Sequence, residues 1–156
     1  MKLSPKEQAY FALVKTDFKA FAQQAFTTHQ PNQVLLWNWP LDAIIHELER
    51  NLRGLPPQLI ITMPPRHLKT FLVSICWPAF LLAQEPSLKI FCVSYTEDLA
   101  KAIARDFRRL VESAWYKALF PNVRMTKLTE TEVATSDGGF RSALSVHGSI
   151  TGRGAD

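Results

Sequence analysis

The sequence predicts an α/β fold: a parallel sheet flanked by helices and preceded by N-terminal helices. Three observations carry this reading. Short apolar runs, "QLIIT" at 58–62 and "KIFCVSY" at 89–95, alternate with segments of helical periodicity. The chain before residue 54 shows three- and four-residue spacing and no strand pattern. Strand, loop, helix, strand, helix in that order makes a βαβ unit, which closes as a parallel sheet.

Each element has a local reason. Tyr10, Phe11, Val14, Phe18, Phe21, Ala22 and Ala25 recur at helical spacing after Ser4-Pro5, so one amphipathic helix is expected there, with this stripe as core. "THQPNQVLLWNWP" reads as an irregular connection. Leu41, Ile44, Ile45 and Leu48 mark a second helix, closed by Arg53-Gly54 and Pro56-Pro57. "QLIIT" is a short strand, and "KTFLVSICWPAFLLAQ" a helix that Pro78 should kink or divide. "KIFCVSY" is apolar on both faces, as suits a strand covered on both sides. Thr96-Glu97-Asp98 caps a helix whose inner face holds Leu99, Ile103, Phe107, Leu110 and Val111. Strands are expected around "EVAT" and "FRSALSV", followed by the glycine-bearing loop "HGSITGRGAD".

With 156 residues the chain suits a domain able to bury a core without staples, and 47% apolar against 21% charged residues reads as globular. A net charge of +4 permits a polyanionic partner without requiring one; a solvated basic surface is the plainer reading. Cys76 and Cys92 lie in apolar segments and form no C-x-x-C pair, so buried free thiols in a reducing cytosol are expected rather than a disulfide or zinc site. Charges interrupt the N-terminus, and the apolar uncharged run Thr70 to Gln84 has only 15 residues. Neither export nor membrane insertion is expected, and the cytoplasm is the expected compartment.

Chemistry is concentrated in "MPPRHLKT", residues 63–70, between the first apolar run and the following helix. A phosphate-binding loop converges backbone N–H groups at a helix N-terminus, with a lysine for the β- and γ-phosphates and a hydroxyl for magnesium. Lys69 and Thr70 fit those two roles, but Met63 and Leu68 stand at the two positions where G-x-x-x-x-G-K-[ST] has glycine. If position 68 is left-handed, leucine there adds about 1–2 kcal/mol of strain and weakens nucleotide binding. The alternative is a stiff strand-to-helix turn with a solvated Lys69.

At this stretch the chain resembles the phage terminase large subunit family, the ATPases that package viral DNA into procapsids. That family carries a divergent phosphate loop, P-P-R-H-G-K-S. Here Pro64, Pro65, Arg66, His67 and Lys69 match, Thr70 is conservative and Leu68 departs. "WNWPLDAIIHELE" upstream, and "CVSYTEDLA", "WYKALFPNVRM" and "GSITGRGAD" downstream, are similar to family segments in the same order, over roughly residues 30–156.

The resemblance implies a P-loop NTPase-like core over 55–156, behind a helical region at 1–54 that contains the adenine-side segment. It implies ATP and Mg2+ as cofactors, bound by Pro65, Arg66, His67, Leu68, Lys69 and Thr70, with Thr70 touching the metal. Lys69 and Arg66 would act on the transferred phosphate, Trp39 would lie on the adenine side, and Gly152, Arg153 and Gly154 near the nucleotide. Double-stranded DNA, a portal protein and a terminase small subunit are the implied partners, with a homo-oligomer in the complete motor and no membrane. The family's acidic motif follows the G-R-G-A-D stretch, so residues 55–156 are expected to be the first part of an ATPase core, incomplete before that motif. Glu97 and Asp98 suit first-turn acids better than magnesium ligands.

Two other readings stand beside the packaging ATPase. One is a non-catalytic prophage remnant that keeps the fold. The other is a small nucleic-acid-binding module using Lys101, Arg105, Arg108 and Arg109, although Asp106 and Glu112 interrupt that face and suit an ordinary solvated one.

Overall fold

The computed structural model describes residues 4–52, 58–146 and 154. The chain divides into two compact units, Met1–Lys69 and Thr70–Asp156.

The first unit is helical. α1 (Pro5–Thr16) begins at a capping box, in which the Glu7 N–H donates to Ser4 Oγ and the Ser4 N–H donates to the Glu7 carboxylate. The single helix expected here is two. Asp17 leaves the helical conformation (φ −110°, ψ 119°) and caps α2 (Phe18–His29), its carboxylate accepting from the Ala20 N–H at 2.6 Å. A short polar side chain that can satisfy an orphan N–H thus ends one helix and starts the next. The break divides the aromatic stripe: Val14, Phe18, Phe21, Ala22 and Ala25 are buried, whereas Phe11 is half-buried and Tyr10 is exposed. α3 (Trp39–Leu52) packs on α2 and buries Leu41, Ile44, Ile45 and Leu48, the four residues its periodicity selects. The closing prolines and glycine of that helix lie outside the described residues.

"QLIIT" is not a strand. Residues 58–64 run without regular structure, the side chains from Gln58 to Met63 alternate between exposed and half-buried, and Ile60 is 89% exposed. A strand needs a neighbour to take its N–H and C=O groups, and none among the described residues pairs with this segment.

A continuous helical run starts at Lys69, the last residue of the first unit. Lys69 and Thr70 are helical, Phe71–Cys76 form a π-helical segment, and α4 (Trp77–Gln84) completes the run. The switch falls at Trp77, one residue before Pro78, which has no N–H for the α-helical bond to the Ser74 carbonyl. The predicted division at this proline therefore takes the form of a change in helix type.

β1 (Lys89–Ser94), α5 (Glu97–Glu112), α6 (Ala114–Leu119), β2 (Met125–Leu128), β3 (Glu132–Thr135) and β4 (Phe140–Ser145) follow. The sheet order is β1-β4-β3-β2. Only β1 and β4 run parallel; β4–β3 and β3–β2 are antiparallel, so the sheet is mixed rather than parallel as expected. β1 lies at an edge and none of its residues is fully buried, which departs from the covered strand its composition suggests.

Thr96 caps α5 as expected, its hydroxyl accepting from the Leu99 N–H at 3.3 Å. Ile103, Phe107, Leu110 and Val111 are buried, but Leu99 is 50% exposed. The small residues Ala100 and Ala104 face the sheet instead, clustering with Ala143 of β4. The Tyr116 hydroxyl ties α6 to α4 by donating to the Ala79 carbonyl at 2.8 Å. Among the described residues, no helix is long and apolar enough to cross a membrane.

Candidate functional site

The stretch from Met63 to Thr70 contains the two most unusual backbone conformations of the described chain. Arg66 has φ +66° and Leu68 φ +57°, and no other described non-glycine residue has positive φ. His67, between them, and Lys69, after them, are on the negative side. Such alternation of hand turns successive backbone N–H groups toward one concave side, a geometry suited to anions. Residues 65–66 form a turn, 67–68 a bend, and the helix begins at Lys69. The loop's N–H groups thus lead into the positive end of a helix dipole.

Side chains reinforce the positive character. Lys69 is half-buried, and its Nζ folds back to donate to the Met63 carbonyl at 3.5 Å, across the loop rather than away from it. His67 Nδ1 lies 2.9 Å from the Pro65 carbonyl, which can only accept, so the contact takes the tautomer with its proton on Nδ1. Pro64, Pro65, Arg66 and His67 are exposed. The Thr70 hydroxyl makes no capping hydrogen bond, so it is not committed to the helix terminus. No carboxylate occurs between Gln58 and Gln84, leaving Arg66 and Lys69 without a local counter-charge in sequence.

Of the residues expected at a nucleotide site, Pro65 to Thr70 therefore occupy one contiguous loop and helix head. Trp39 is the first residue of α3 rather than part of a connection, and it is 78% exposed. No hydrogen bond, ion pair or ring contact among the described residues joins it to the loop. Gly152 and Arg153 lie outside the described residues.

The basic face of α5 is largely self-neutralised. Lys101 pairs with Glu97 at 2.9 Å and Glu130 at 3.8 Å, Arg108 with Glu112 at 2.8 Å, and Arg109 with Asp106 at 3.5 Å. Pairing with Lys101 holds the Glu97 carboxyl below its ordinary value, as expected of a helix-face ion pair rather than a metal ligand.

One polar centre has no warning in the sequence. Arg141 on β4 is 1% exposed; its guanidinium lies over the Phe107 ring at 5.0 Å and its Nη2 donates to the Ser74 carbonyl at 3.3 Å. The alternation of "FRSALS" places Arg141 and Ala143 on one face, but nothing in that pattern says the face is covered. Burial raises the nearby Cys92 thiol overall, and Arg141 offsets only part of that rise.

Comparison of the chain with family models, with curated proteins and with solved structures gave no significant match.

Proposed function

We propose that this chain grips the phosphates of ATP with Mg2+ through the loop Pro64–Thr70, as the nucleotide-binding part of a terminase-type motor that packages viral DNA in the cytoplasm of a bacterial host. The observation that carries the reading is the alternation of backbone hand from Arg66 to Lys69 at the head of a helix. Residues with side chains rarely adopt this conformation, and two of them doing so within three positions is unexpected in a turn that only connects elements.

In this reading the loop N–H groups and Lys69 hold the β- and γ-phosphates, and Arg66 reaches the terminal phosphate, where charge develops on transfer. The residues fit Mg2+ through the uncommitted Thr70 hydroxyl; the ion supplies charge neutralisation between the phosphates when bound. Leu68 lowers affinity, since its side chain stands where backbone and phosphate approach most closely. Hydrolysis also requires a carboxylate to orient water, and no described contact brings one to this loop. In this reading, turnover requires acidic residues brought to the loop. Duplex DNA, a portal and a small subunit are partners of that motor by resemblance. The ion pairs on α5 favour a solvated face there over a nucleic-acid surface.

Calorimetric titration with ATP tests the reading. Binding that requires Mg2+, disappears with EDTA and falls at least tenfold in Lys69→Ala is expected, with no phosphate release above background. Equal affinity in wild type and Lys69→Ala would overturn it.

A further inference from the structure

Arg141 is a cation that cannot shed its proton, buried with most of its donors unused. Its Nε and Nη1 have no hydrogen-bond partner among the described residues, and no described carboxylate pairs with it. A buried guanidinium in that condition is costly unless something negative completes it.

Cys92 is the group placed to do so. Its thiol donates to the same Ser74 carbonyl, at 3.9 Å, that receives Arg141 Nη2, so sulfur and guanidinium converge on one oxygen. The register pairs Ile90 with Arg141 and Cys92 with Ala143, which puts Cys92 diagonally beside Arg141 on the same face of adjacent strands. Other elements packed there bring no competing charge. α5 presents Ala100, Ala104 and Phe107, the π-helical segment Phe71–Cys76 is uncharged with Cys76 itself fully buried, and β3 contributes Val133. Cys92 is half-buried, on a strand at the edge of the sheet.

We propose that Cys92 is the site of thiol modification in this chain, taking peroxide as its electrophile, with Arg141 stabilising first the thiolate and then the oxidised sulfur. In the step, the thiolate sulfur attacks one peroxide oxygen; the S–O bond forms as the O–O bond breaks. Sulfur loses two electrons, the peroxide is reduced to hydroxide, and hydroxide takes a solvent proton and leaves as water. The resulting sulfenic acid, as its anion, carries an oxygen that the unused Nε and Nη1 donors can bind. Cys76 offers the internal contrast: burial raises both thiols, but Cys76 goes well up with no cation beside it, whereas Arg141 offsets part of the rise at Cys92.

The test treats the reduced chain with hydrogen peroxide, traps sulfenic acid with dimedone and maps it by mass spectrometry. Cys92 is expected to be labelled and Cys76 spared while the protein stays folded. Arg141→Met should slow Cys92 about tenfold, because the thiolate loses its neighbouring cation, and Arg141→Lys should restore part of the rate. A folded Arg141→Met that reacts at the wild-type rate, or labelling of Cys76 in preference to Cys92, overturns the proposal. Should Arg141→Met fail to fold, Cys92→Asp and Cys92→Asn decide the matter in the wild-type background. A carboxylate meeting the guanidinium should melt higher than its neutral isostere, and the reverse order contradicts the assignment.

Discussion

Two tight turns among the described residues contain left-handed backbone, and they meet its cost differently. The β3–β4 turn uses glycines. Gly138 has φ +84°, and Gly139 packs so closely on residues 86–88 that a Cβ would lie 2.2 Å from the Pro86 carbonyl oxygen. The Thr135 hydroxyl ties the turn together, accepting from the Gly139 N–H at 3.1 Å and donating to the Pro86 carbonyl. The loop at 65–70 instead puts an arginine and a leucine at φ +66° and +57°. Each such residue costs about 1–2 kcal/mol relative to glycine. The first turn is shaped for stability; the second keeps side chains where stability alone would favour none, and the proposed site rests on that feature.

Substitutions can break this contrast. The largest effect is expected from Gly139→Val, whose side chain must displace backbone that cannot yield; a loss of roughly 3 kcal/mol or outright unfolding should appear in thermal melts followed by circular dichroism. Lys69→Ala should leave the melting temperature nearly unchanged and cost about 2 kcal/mol in Mg-ATP binding, read by calorimetry. Gly138→Ala should destabilise by about 1 kcal/mol in urea titrations, because alanine adopts the left-handed region poorly. Leu68→Gly should do the opposite, adding a few tenths to about 1 kcal/mol, as relief of strain exceeds the extra entropy of the unfolded chain. If Gly138→Ala and Leu68→Gly both destabilise, the loop holds no strain and the contrast fails.

What could be read from sequence follows the same division between local and distant causes. The Thr96 cap, the buried stripe of α3, the disruption at Pro78, and strands β3 and β4, which pair with each other across a short turn, have causes close in sequence, and all are present. Strand character at 58–62 depends on a partner elsewhere in the chain, so the apolar run alone misleads. The cover over β1 and the burial of Arg141 are likewise set by which elements pack together, which periodicity does not encode. Asp17 shows a local signal outweighed in the reading by a continuous stripe: a polar capping residue divides what hydrophobic spacing joins. At the loop, the departure of Leu68 from glycine is legible as chemistry, and its left-handed backbone is the conformation in which that departure matters.

The central claim is that the strained conformation at Leu68 belongs to an anion cradle. Calorimetric titration of Mg-ATP into wild type and Leu68→Gly, with melting temperatures measured on the same preparations, addresses it most directly. A rise of several-fold in affinity together with a higher melting temperature is the predicted result. A gain in stability with affinity unchanged or lowered would contradict the account, leaving a strained turn that holds no phosphate.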